Sequence, residues 1–200
     1  MDKIKRAVLD VYRDCGIEAF PLSCSSVLAH YHLNVYSYGQ LKKKSAELYE
    51  ICKKFSKDAF TYGNIIAYNQ EMPRERIRFS LMHELGHLLL HTDKESEANC
   101  FASHVLAPRI ILKCSGIIVP REVRKLFGIS KEAASYALSD VLNGYESPTE
   151  DDWAIWSHFY RPEQQIHVYH ISECPVCGST IYNSLKNTCL QCKKLTRKSK

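Results

Sequence analysis

Arg78-Phe-Ser-Leu-Met-His-Glu-Leu-Gly-His-Leu-Leu-Leu-His91 is the stretch around which the chain is organised. His83 and His87 are four residues apart. On a helix of 3.6 residues per turn they lie one above the other, so both imidazoles reach one point in space. Glu84, one residue round from His83, falls beside that point without occupying it. Two nitrogen ligands with an adjacent carboxylate as general base are what zinc-dependent peptide hydrolysis requires. Ile77, Leu81, Leu85, Leu88 and Leu89 mark a buried side of the same helix, and burial makes unpartnered imidazoles costly. A metal ion satisfies them. Backbone hydrogen bonds inside a core helix are the plainer alternative.

An open zinc site takes three protein ligands, so one more is required. Thr92-Asp-Lys-Glu-Ser96 supplies turn and cap residues, and Glu97 to Pro108 reads as a helix ended by proline. Its apolar face runs through Ala98, Phe101, Ala102, Val105 and Leu106. The candidates for the third ligand are His91, Asp93, Glu95, Glu97 and His104. His91 drifts by about 40° from the line of His83 and His87, which suits packing at the helix end or orienting a ligand. Asp93 and Glu95 read as cap or solvent residues of the turn. Glu97 borders the apolar face in the first helical turn.

Before the motif, Phe60 to Asn69 reads as a turn at Gly63-Asn64 followed by a β-branched strand, and Pro73 suits the first turn of the next helix. Ile65 to Asn69 is the candidate edge strand on which an extended substrate would pair, with an ordinary sheet strand as the equal alternative. Residues 2–14 read as an amphipathic helix stopped by Gly16. Ser23 caps a second helix, Leu33 to Gly39 alternates like a strand, and Leu41 to Phe55 has helical periodicity. Lys42-Lys43-Lys44 reads as a solvated face.

Three ordered blocks carry a family resemblance: Gly63-Asn-Ile-Ile-Ala-Tyr-Asn69, Arg76 to His91, and Glu97-Ala-Asn-Cys-Phe-Ala102 closing on Leu106-Ala-Pro108. Together they resemble the ImmA/IrrE metallopeptidases over about residues 5–143. The resemblance implies an α+β fold, a mainly helical zincin-like domain with a small β-sheet. It implies His83, His87 and Glu97 as ligands of a catalytic Zn2+ and Glu84 as catalytic base. It also implies a protein substrate, a helix-turn-helix repressor of a mobile element or stress regulon. His104 departs from the family pattern, and with Tyr68 it is a candidate hydrogen-bond donor to the transition state.

Arg121 to Leu142 has the outline of a helix-turn-helix, with Gly128 in the turn and Ser130 as cap. Between Lys131 and Leu142 one basic residue faces two acids, so phosphate contacts and guanine readout are lacking and packing is the favoured role. Ser147-Pro148-Thr149-Glu150 launches a helix with a stripe of Trp153, Trp156 and Tyr160, read as core that docks the following module. Gln165 to Ile171 then alternates as a strand.

Cys174-x-x-Cys177 and Cys189-x-x-Cys192 are separated by eleven residues. Two such knuckles specify a closed tetrahedral zinc site, and thirty residues with little core need a metal to fold. The expected organisation is a metallopeptidase domain at 1–145 including the helix-turn-helix-like segment 120–143, a connecting helix and strand at 146–170, and a zinc ribbon with basic tail at 171–200. One catalytic and one structural zinc are expected.

The chain has 45% hydrophobic residues, enough for a core, and no apolar run long enough to span a membrane. No signal-peptide pattern opens it, so a cytoplasmic location is expected. Five of nine cysteines are scattered singly, and no disulfides are expected. Residues 1–170 carry 21 basic and 21 acidic residues; the last thirty carry six basic residues and Glu173, so the whole +5 sits in the ribbon segment. Weak nucleic-acid contact there is one reading, a solvated end the other. The rival function is a non-catalytic, metal-stabilised regulator that binds a repressor or DNA. An intact Glu84 argues against it, since a structural site needs no base.

Overall fold

The computed structural model describes residues 2–144, 147–186 and 188–198. Helix α1 (Asp2–Asp14) and α2 (Cys24–His30) lead into β1 (Asn34–Ser37), α3 (Tyr38–Lys44), α4 (Ala46–Phe55), β2 (Ala59–Tyr62) and β3 (Ile65–Tyr68). The helical body continues with α5 (Arg74–Leu90), α6 (Glu95–Leu106), α7 (Arg109–Ser115), α8 (Pro120–Phe127), α9 (Lys131–Asn143) and α10 (Glu150–His158). Two small hairpins follow, β4 (Tyr160–Arg161) with β5 (Ile166–His167), and β6 (Ile171–Glu173) with β7 (Thr180–Tyr182), before α11 (Leu190–Lys198). The α+β expectation holds.

Local chemistry explains most boundaries. Ser23 caps α2 through its Oγ and Ser130 caps α9 in the same way. The single helix expected over Leu41 to Phe55 is two, because Ser45 is extended at φ −154° and its Oγ accepts the Leu48 N–H to start α4. The exposed Lys42, Lys43 and Lys44 close α3, where cations oppose the negative end of the helix dipole.

The main sheet has the order β1-β3-β2, with β1 parallel and β2 antiparallel to β3. This corrects the expected substrate strand. Ile65 to Tyr68 forms the central strand, whose backbone is committed on both sides, so it has no free edge to offer. The edge beside α5 belongs to β2.

The α5–α6 pair is the centre of the body. Gly86 sets its spacing: a Cβ there would lie 2.9 Å from the Phe101 ring and 3.2 Å from the Ala98 backbone, so the helices approach as closely as a bare Cα allows. Tyr12 on α1 donates its hydroxyl to the Val105 carbonyl at 2.8 Å, which fixes α1 across α6. Tyr12, Phe20, Phe127 and Phe159 meet with centroids 5.0 to 5.8 Å apart, mostly edge to face. Arg78 donates to the carbonyls of Leu22, Phe127 and Gly128, tying α5 to the end of α8 and placing a cation at that helix's negative pole.

Of the expected aromatic stripe on α10, Trp156 packs on the core and stacks on His167 of β5 with centroids 4.0 Å apart, docking the following hairpin as expected; the rest of the stripe faces outward. Asp152, Ile155 and Phe159 are buried, while Trp153 and Tyr160 are 48% and 41% exposed. Asp152 decides the phase, because it bonds back to Thr149 in a capping box and pairs with the buried Lys5 of α1. The helix-turn-helix outline is present as α8, Gly128 and α9, and α9 turns Ala134, Ala137 and Leu138 inward, as expected of scaffold. Arg109 on α7 anchors it by two bonds to Asp140. Among the described residues no helix is long and apolar enough to cross a membrane.

Candidate metallopeptidase site

Helix α5 places the two histidines as its spacing demands, and each ring is fixed by its second nitrogen. His87 Nδ1 lies 2.7 Å from the Thr92 carbonyl, which can only accept, so Nδ1 carries the proton. His83 Nδ1 donates to Asn99 Oδ1 at 3.0 Å. In the neutral rings both Nε2 atoms are then lone pairs, and they face each other at 3.0 Å. A carboxylate joins them: Glu95 oxygens lie 3.2 Å from His83 Nε2 and 3.5 Å from His87 Nε2. Three acceptors turned on one point repel unless a proton or a metal ion lies among them, and the group is placed to hold a metal.

The spacings fit zinc. Ligands about 2.05 Å from one tetrahedral ion are roughly 3.3 Å apart, and the three observed separations of 3.0, 3.2 and 3.5 Å bracket that value. The Nδ1 partners are those a metal-binding imidazole needs to hold its tautomer and direction.

The acid brought within reach of both histidines is Glu95, whereas Glu97 was the one expected, because α6 begins two residues earlier than the sequence suggested. Glu95 opens the helix behind the cap residue Lys94. Asn99, four residues on, shares its face and supports His83. Glu97 lies about 200° round the helix from Glu95 and is bound instead by Lys94 Nζ at 2.9 Å. Hydrogen bonds from Lys94 and Thr92 lower its carboxyl below the usual range. Asn99 was missed altogether; its i+4 relation to Glu95 was the available signal.

Glu84 is buried beside the histidines, and its Oε2 accepts the Thr61 hydroxyl at 2.7 Å. Burial raises its carboxyl above the ordinary value, opposed by the Thr61 hydrogen bond and then by His83 and His87. A carboxylate moved up in this way is a better base than one in water. These groups open on a cleft of about 940 Å³, whose walls also include Thr61 of β2, Phe55 at the end of α4, Leu88 and His91. His91 is the left-handed cap of α5, at φ 47°.

Neither expected transition-state donor lines this cleft. Tyr68 sits in the central strand, paired in register with Ser37 and Ala59, and packs toward the core. His104 lies on the last turn of α6 near Arg109 and Lys5, where burial first and then these cations push its pKa down to about 4.

Residues 52–139 match the family described as IrrE N-terminal-like domain, a peptidase family. This stretch is similar to the ImmA/IrrE-type domain. Its span is narrower than the resemblance drawn over about 5–143, starting inside α4 and ending in α9. No curated protein matches the chain. The matched stretch contains the whole His83, His87 and Glu95 cluster together with Glu84, Thr61 and Asn99.

The four ribbon cysteines form a second cluster, with all four sulfurs within 4.8 Å of one another. The first knuckle hangs from the β6–β7 hairpin, and the second starts α11. Cys177 and Cys189 sulfurs are 3.7 Å apart, against about 3.8 Å for thiolates sharing one tetrahedral zinc at 2.3 Å. Backbone N–H groups of Cys189 and Val176 bring the Cys174 thiol down to about 6, whereas crowding by Cys177 and Cys189 pushes Cys192 up to about 12. Ionising all four together would take a cation, and the cluster is placed to hold one. None of the nine cysteines is joined in a disulfide among the described residues. Asn183 latches the hairpin to the body, accepting from the Tyr169 N–H and donating to the His167 carbonyl, and Phe20 and Tyr169 share a further backbone bond. The end of the basic tail, from residue 196, lies outside the residues whose side chains are described.

Proposed function

We propose that the protein is a zinc-dependent endopeptidase in which His83, His87 and Glu95 hold the catalytic metal and Glu84 is the general base. The observation that carries this is the convergence of two imidazole lone pairs and a carboxylate on one point, with both Nδ1 protons already engaged. When bound, zinc supplies Lewis acidity toward the scissile carbonyl and acidifies water. Glu84 accepts the proton released by the attacking water and passes it to the leaving amine nitrogen. Thr61 keeps Oε2 of that carboxylate aimed into the cleft. An extended substrate pairs with the free edge of β2, taking the role first assigned to Ile65 to Asn69.

The substrate is proposed to be a helix-turn-helix repressor of a mobile element or stress regulon, following the family resemblance. Binding only a locally unfolded, extended segment supplies selectivity. The ribbon, with a second zinc on Cys174, Cys177, Cys189 and Cys192, is proposed to help locate a repressor near DNA through its positive charge. Co-expression with the repressor encoded beside the gene tests this, comparing wild type with Glu84→Gln. Wild type is expected to cleave, and the variant to keep zinc and repressor binding without cleavage. Cleavage by Glu84→Gln excludes the mechanism, and binding without cleavage by wild type makes the protein a regulator.

A further inference from the structure

The cleft is chemically lopsided about the proposed metal point. On one side, beyond His83, a hollow of about 320 Å³ is walled by Asp58, Arg76, Ser80 and Asn99. On the other side the larger cleft is walled by Phe55, Phe60 and Leu88. Phe55 is 67% exposed, although it is one of the most apolar side chains available. It is also held in place: its ring stacks on Phe60 with centroids 5.0 Å apart and planes 12° from parallel. Phe60 in turn packs on the small core under α3 and α4. Phe60 is the β2 neighbour of Thr61, whose hydroxyl holds Glu84. Successive side chains of β2 point to opposite faces, so the aromatic wall meets the Thr61 and Glu84 side at the strand's edge, where both residues line the same cleft. An ordered, exposed aromatic face opening on a metal cleft is a surface that gains from being covered.

Resting on the metallopeptidase reading, we propose that Phe55, backed by Phe60 and facing Leu88, is the specificity-determining subsite for a large apolar side chain next to the cleaved bond. Covering one face of Phe55 with such a side chain removes apolar area from water on both partners, and a one-sided contact of this kind gives about tenfold in affinity. The hollow across His83 is walled mainly by polar groups, and its one aromatic, Phe79, already lies under Arg76 and beside His83, so the preference is carried on the Phe55 side of the scissile bond.

The test uses the zinc-loaded full chain and chelating probes, so its readout is binding and not turnover. The probes are acetohydroxamate, two phenylalanine hydroxamates that place the side chain before or after the chelating group, and their asparagine counterparts. Wild type is expected to bind one phenylalanine probe about tenfold more tightly than its asparagine counterpart. Phe55→Ala should reduce that ratio to less than about threefold, and Phe55→Trp should keep it, with acetohydroxamate affinity unchanged in both. Phe55 is exposed at a helix end, so neither change endangers folding. If acetohydroxamate binds but wild type does not discriminate, or Phe55→Ala still discriminates, the subsite is overturned alone. If acetohydroxamate does not bind at all, the metal reading falls and the subsite with it.

Discussion

Replacing Glu95 by alanine tests the metal assignment most directly, since it separates two acids that differ by two positions in one helix. Glu95 presents an oxygen to each histidine at 3.2 and 3.5 Å, whereas Glu97 is bonded to Lys94. Asn99 contributes at one remove by holding His83 Nδ1. Loss of such an outer partner costs about 10 to 100-fold in metal affinity, and loss of a direct anionic ligand must exceed this, roughly a thousandfold on the same scale. The expected order of weakening is Glu95→Ala, then Asn99→Ala, then Glu97→Ala, the last within about threefold of wild type because an exposed ion pair contributes little. Competition against a chromophoric zinc chelator measures all four proteins, and the ribbon site supplies an internal standard that none of the changes touches. Retained affinity in Glu95→Ala together with loss in Glu97→Ala would refute the geometry and restore the assignment implied by the family resemblance.

Metal analysis should find two zinc ions per wild-type chain, with His87→Ala and Cys177→Ser each removing about one; a single zinc in wild type contradicts the two-cluster reading. Gly86→Ala should lower stability by about 1 to 3 kcal/mol in urea titrations, the range for overpacking, and should also weaken the catalytic zinc as Glu95 is pushed from the histidines. Unchanged zinc affinity would show that α6 yields without moving its first turn. For His104, with a folded pKa of about 4 against about 6.5 unfolded, the unfolded chain binds the extra proton between those values, so stability rises with pH across that window. Its contribution is present above about pH 6.5 and is lost as pH falls toward 4, at most about 2 kcal/mol between pH 7 and 5 for this half-buried ring. In zinc-free protein His104→Leu should flatten that part of the profile, and a slope equal to wild type would remove His104 as its source.

Much of this fold was legible because it rests on local chemistry. The spacing of His83 and His87, the serine caps of α2 and α9, and the two cysteine knuckles each act within a few residues. What could not be read depends on contacts between distant segments. The start of α6 is set by the loop from Thr92, which must return its carbonyl to His87, and two residues of shift exchange Glu95 for Glu97. The centre and edge of the sheet are decided by β1, thirty residues before β3, through pairing that a strand pattern does not encode. The phase of α10 follows from Asp152 meeting Lys5 across 147 positions, so Trp153 misled while Trp156 did not. Tyr68 and His104 carried suitable chemistry, but the register of β3 and the packing of α1 on α6 leave both outside the cleft.

The buried Lys5–Asp152 pair also bears on what can be excised from this protein. The recognised family stretch ends at residue 139, and a cut at 145 looks natural from composition. Such a fragment would keep Lys5, only 2% exposed, and discard its carboxylate, and removing one partner of a buried ion pair costs about 3 to 5 kcal/mol. It would also strip Ile155 and Phe159 from the aromatic core around Tyr12. The boundary of homology is thus not the boundary of folding. A shortened chain meant to keep this fold has to run at least through Phe159, carrying the nine residues of α10 that no family likeness would have led an experimenter to include.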